Sequence, residues 1–181
     1  MLNNIQRKTL LQIARNSIAT VLEGRRPDLT AYTLDDDLRR PAGAFVTLND
    51  RQGELRGCIG SIQPVAPLFQ AVSSSAISAA FRDPRFDPVQ QNEFASLHLE
   101  ISVMGPITRV KDVGEIEVGR DGLIISRGPN AGLLLPQVAT EHGWDRGMLL
   151  SQTCVKAGLP PGSWGSRDTR IERFSAEVFG E

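Results

Sequence analysis

Residues 44–62 read AFVTLNDRQGELRGCIGSI. Ala44 to Leu48 and Leu55 to Ile62 are rich in strand-forming residues. Asn49-Asp50-Arg51-Gln52-Gly53 joins them as a hairpin connection with glycine near its end. A period of two along the second strand places Glu54, Arg56, Cys58 and Gly60 on one face and Leu55, Gly57 and Ile59 on the other. Arg56 and Cys58 then stand roughly 7 Å apart on one side, close enough for a guanidinium to favour a thiolate at a partly dry site. Two glycines flanking a cysteine suggest that a ligand or another backbone comes close there. A plainer reading competes: Cys58 as a small buried hydrophobe, Arg56 as a surface charge, the glycines as servants of hairpin twist or a bulge.

Outward from this hairpin, Leu10, Ile13, Ala14, Ser17, Ile18 and Val21 recur at helical spacing, with Gly24 where a left-handed cap would sit. Arg25 to Pro41, with two Arg-Arg pairs and three consecutive aspartates, reads as a charged connector. Pro64 and Pro67 lead into a helix over Leu68 to Phe81, whose small residues imply close packing. Pro84 makes Arg82 to Pro88 a rigid, charged exit from that helix. Leu97 to Met104 alternates as a strand, with His98, Glu100 and Ser102 on its polar face.

Ile116-Glu117-Val118 and Leu123 to Ser126 flank Gly119-Arg120-Asp121-Gly122, which reads as a second hairpin turn. A further sheet segment is expected at Leu133 to Leu135. Asp145 can cap a helix running to Ala157, with Gly158 as its stop, and Arg170 to Phe179 alternates as the last strand. Hairpins dominate and no strand-helix-strand unit with a glycine-rich phosphate turn appears. The expected class is α+β with antiparallel sheet.

With 181 residues the chain is expected to form one compact domain or two tightly joined lobes and to bury roughly 70% of its unfolded surface. Hydrophobic residues at 40% and charged residues at 23% match ordinary globular usage. Twenty basic against twenty-one acidic side chains leave a net charge of −1, with no field to hold phosphate backbones or anionic lipid. Nucleic acid and membrane partners are therefore disfavoured. Arg15 interrupts the first candidate signal segment, so the cytoplasm is the default address.

Cys58 and Cys154 lack partners at metal-ligand spacing and read as free thiols, Cys154 within a helical core, although pairing in space stays open. With two histidines, of which His142 reads as a surface residue at a helix start, neither a metal nor another cofactor is expected. His98 and Glu100 are candidates for proton transfer to or from a Cys58 nucleophile, against the bland alternative that any one-sided antiparallel sheet has a polar outer face.

Taken together, Leu-Arg-Gly-Cys-Ile-Gly at 55–60, Phe45-Val46-Thr47, Asp83 with Arg85-Phe86 and Pro88, Leu97 to Ser102, Gly119 and Gly122, Leu135-Pro136 with Val138-Ala139, and Glu141 with Gly143-Trp144-Asp145 resemble the AMMECR domain family. Its prokaryotic members are called AmmeMemoRadiSam system protein A. The resemblance covers nearly the whole chain. It implies a two-lobed antiparallel α+β fold with the hexapeptide lining a groove between lobes, and it implies two companions, a Memo-type protein and a radical S-adenosylmethionine protein. It supplies no established reaction. The candidate set is Cys58, Arg56, Glu100 and His98 for catalysis, with Gly57, Gly60, Asp83, Arg85 and Thr47 for holding a small anionic ligand. The alternative function is a non-catalytic module that binds a ligand or docks on those partners.

Overall fold

Strands β1 (Ala44–Asn49) and β2 (Leu55–Ser61) form the hairpin expected of their sequence. The connection closes on Asp50, whose carboxylate accepts from the backbone of Gln52 and Glu54, and Gly53 takes the left-handed conformation that the reversal needs. β3 (His98–Met104) pairs with the other side of β1, so β2 is the edge strand of an antiparallel β2-β1-β3 sheet.

The computed structural model describes residues 1–181 and divides into two units, Met1–Met104 with Glu177–Glu181, and Gly105–Ala176. In the first unit, Ala44, Val46, Leu48, Leu99 and Ile101 turn one sheet face into a core shared with α1 (Asn4–Leu22) and α3 (Leu68–Phe81). A capping box between Asn3 and Gln6 starts α1. Alanines and serines let α3 approach closely: Ser73 shares a buried 2.7 Å hydrogen bond with Ser17 of α1, and Ser75 donates to the Ala44 carbonyl at 3.2 Å. Chain residues 177–181 are anchored to α1, where Arg7 binds Glu177 and Arg15 binds Glu181.

The expected connector at 25–41 contains one element the sequence reading did not separate. Asp35 caps a one-turn helix, α2 (Asp36–Arg39), by accepting from the Leu38 amide, and Gln6 donates to Asp35 and Asp37. The aspartate run is therefore a cap and first turn, still exposed to solvent. Leu38 is buried beneath it. A second one-turn helix, α4 (Gln91–Phe94), follows the charged exit from α3.

The second unit is built on an antiparallel sheet of β4 (Thr108–Arg109), β5 (Asp121–Arg127), β6 (Asn130–Leu134) and β7 (Arg170–Gly180, of which residues to Ala176 belong here). β5 pairs with β6 and β7, and β4 pairs with β7. The chain does turn at 118–120, with Gly119 in the left-handed region, but this turn closes no hairpin, because residues 116–118 are not a strand; β5 begins at Asp121, and the hairpin reverses at Gly128-Pro129, with Gly128 also in the left-handed region. Gly122 is demanded by packing, because a Cβ there would lie 2.5 Å from the Phe174 ring. Ile116 is buried in the core although its segment is no strand.

Helices α5 (Pro136–Glu141) and α6 (Arg146–Lys156) cover this sheet. Asp145 caps α6 through the Met148 amide at 2.8 Å, and Gly158 ends it at positive φ, as expected. Leu123, Ile125, Leu149, Leu150 and Cys154 form its core. No helix of the chain is long and apolar enough to cross a membrane.

Candidate functional site around Cys58

Because β2 is an edge strand, every second residue directs its backbone N–H and C=O away from β1, and at Cys58 both groups are met by side chains. The amide donates to Asp83 Oδ2 at 2.9 Å, and the carbonyl accepts from Arg85 Nη2 at 3.2 Å. Asp83 and Arg85 are themselves joined in a two-pronged ion pair at 2.9 and 2.7 Å. Asp83 is only 4% exposed, whereas the Arg85 side chain is 54% exposed. The Arg85 hydrogen bonds, with help from the Cys58 amide, hold the Asp83 carboxyl well below the usual carboxylate range against the opposing effect of burial. The same contacts raise Arg85 further.

Outward-pointing backbone groups make Cys58 and its partner Thr47 a non-hydrogen-bonded pair, the arrangement in which facing side chains come closest. Accordingly Thr47 Oγ1 donates to Cys58 Sγ at 3.2 Å. This hydrogen bond fixes where the sulfur stands on the strand face. Cys58 is a free, half-buried cysteine.

Arg56 lies where the pairing is irregular: the register runs from Leu48 opposite Gly57 to Asn49 opposite Leu55, so Arg56 is the extra residue of a β-bulge. Its guanidinium binds Glu93 of α4 through Nε and Nη2 at 2.9 and 2.8 Å, which holds Glu93 below its ordinary value. Nη1 of Arg56 is buried without a protein acceptor. Arg56 and Arg85 both stand over the Phe86 ring, at 5.9 and 5.5 Å from its centroid, so the bulge brings the two cations to one aromatic residue.

Glu100 is the cross-strand partner of Thr47 on the opposite side from Cys58, giving a row Cys58–Thr47–Glu100 across three strands of one face. Two strand spacings separate the ends of the row, about 10 Å. Glu100 therefore reaches Sγ only through something placed between them. His98 pairs with Asn49, one row further along, about 12 Å from Cys58 by the same spacings, and is exposed. The fold does not bring it to the sulfur. Ser102, on the same face, is buried.

The spaces beside the two flanking glycines are filled by the protein's own atoms. A Cβ on Gly57 would lie 2.3 Å from the Ala79 carbonyl oxygen of α3, and one on Gly60 would meet the Ala44 carbonyl at 2.3 Å and the Phe45 ring at 2.5 Å. Of the alternatives open in the sequence, close approach of another backbone is the one seen. No group of three or more His, Cys, Asp or Glu side chains is arranged to hold a metal. Glu93 and Phe86 complete the cluster. Glu93 lies 37 residues from Arg56, and nothing local in the sequence marks the pairing.

Comparison with known proteins places this geometry in a lineage. The AMMECR1 family model matches residues 11–179. A protein of Methanothermobacter thermautotrophicus is 46% identical, over 96% of this chain and 93% of its own length. Protein TK0174 of Thermococcus kodakarensis is 44% identical, over 95% and 88%. The crystal structure of uncharacterized protein PH0010 from Pyrococcus horikoshii superposes with a TM-score of 0.84 at 42% identity, covering 95% of this chain and 89% of that one. The chain belongs to the AMMECR1 family.

Proposed function

We propose that the first unit holds, and acts on, a small anionic substrate at a thiol-centred site built on Cys58. The observation that carries this reading is the clamp on that residue: its sulfur receives the Thr47 hydroxyl while its peptide is fixed on both sides by Asp83 and Arg85. Such pre-organisation is what a nucleophile or substrate-holding thiol needs. One accessible donor suits an anion. Arg85 commits Nε and Nη2 to Asp83 and leaves Nη1 without a protein partner on a half-exposed side chain, whereas Nη1 of Arg56 is buried. Glu100 is the proton-moving group of the proposal, acting through a substrate lying over Thr47. Work alongside a Memo-type protein and a radical S-adenosylmethionine protein belongs to the proposal and rests on family resemblance alone.

A second reading, a non-catalytic module that binds its ligand or docks on those partners, is favoured by one observation. Thr47 is the sole hydrogen-bonding side chain at the sulfur, so no base touches it. Cys58→Ser separates the two in a strain whose phenotype depends on this protein. Loss of function with an unchanged melting temperature and intact partner binding supports chemistry at the thiol, and full function overturns it in favour of the binding module.

A further inference from the structure

The second unit contains an open cavity of about 690 Å³, a volume in the range of sites for small organic ligands. Three arginines from separate elements reach it: Arg120 just before β5, Arg146 at the start of α6 and Arg173 on β7. Arg120 is tied to the fold through its whole guanidinium and Arg173 through Nη1. The buried carboxylate of Asp121 accepts from Arg120 Nε and Nη2 at 2.9 and 2.8 Å, from the Glu117 amide at 2.9 Å and from Arg173 Nη1 at 3.3 Å. Arg120 also pairs with Glu117, and Arg173 Nη1 donates to the Glu115 carbonyl at 2.7 Å.

Arg146 differs. Its Nε donates to the Ile116 carbonyl at 2.9 Å, and Ile116 is 1% exposed in the core, so the base of the guanidinium is tied to a fixed point. It pairs with no carboxylate, and both Nη atoms lack a protein acceptor. A guanidinium fixed at Nε, with its two-nitrogen end unoccupied in a cavity, is a fork for a planar or tetrahedral oxyanion. Thr108 and Ser175 line the same cavity with hydroxyls, and the exposed Pro106 adds apolar surface for a ligand's organic part.

We infer that this cavity is a second ligand site, independent of Cys58, which takes a small organic oxyanion, a phosphate monoester or a carboxylate, on the free edge of Arg146. Titrating the full chain with inorganic phosphate and, separately, with malonate, chloride balancing the ionic strength, tests it by amide NMR shifts. Saturable shifts at Thr108, Ser175 and the start of α6 are expected with at least one probe, and equally in Cys58→Ala. Whichever probe binds more tightly identifies the phosphate or the carboxylate source. Arg146→Gln is expected to abolish them, and Arg146→Lys, which keeps the charge without the fork, to weaken binding at least about tenfold. Absence of saturable shifts with both probes, or affinity unchanged in Arg146→Lys, overturns the assignment.

Discussion

Asp83 is the residue on which the Cys58 environment turns, because one buried carboxylate both fixes the Cys58 amide and orients Arg85. Its carboxyl titrates lower in the folded chain than in the unfolded one, so below about pH 3.9 the unfolded state binds more protons. The stabilisation is therefore complete above that pH and is lost as pH falls towards the depressed folded value. Melting temperature measured from about pH 6 down to about pH 2 should drop for the wild type, and Asp83→Asn should flatten that limb while lowering stability at neutral pH by about 1–3 kcal/mol. An acid limb unchanged in Asp83→Asn would show that other carboxylates dominate it. Sequence alone placed Asp83 and Arg85 in a rigid, charged exit from a helix and named both as candidates to hold a ligand. It did not show that they cap a strand edge, since that depends on β2 having no second neighbour.

At the scale of elements, the hairpin β1–β2 was legible because alternation, β-formers and a glycine-bearing connection agree. What misled was the bulge. One extra residue stands at Arg56, whose guanidinium binds Glu93, and nothing in Leu55 to Gly60 announces either. Asp121-Gly122 misled in the same way: its turn-forming composition serves a buried ion pair and a ring contact inside β5. The glycines of the hexapeptide give an element-scale test. Gly57→Ala drives a methyl into the Ala79 carbonyl and should cost about 1–3 kcal/mol by thermal melting, since α3 must shift away from β2. Gly53→Ala, where no atom crowds the new methyl but φ is +82°, should cost less, about 1 kcal/mol. Equal stability of Gly57→Ala and wild type would mean that this glycine serves something other than helix approach.

For the whole molecule, fold class and family were readable from pattern and motif, whereas the cavity of the second unit was not, because Arg120, Arg146 and Arg173 come together only through tertiary structure. The two cysteines divide between the units and differ in environment. Cys154 lies fully buried in the second core, where desolvation pushes its thiol up, while Cys58 sits half-buried on an edge strand under the Thr47 hydroxyl. Both should titrate as free thiols in denaturant, and mass analysis without reductant should show no disulfide. The central claim is that Cys58 is a prepared thiol, and native-state alkylation with iodoacetamide near neutral pH, read by peptide mapping, tests it most directly. Cys58 should be modified while Cys154 stays protected, and Thr47→Val should slow Cys58 several-fold, about the effect of removing one hydrogen bond of roughly 1 kcal/mol. A Cys58 as inert as Cys154, or one whose rate ignores Thr47→Val, would contradict the account.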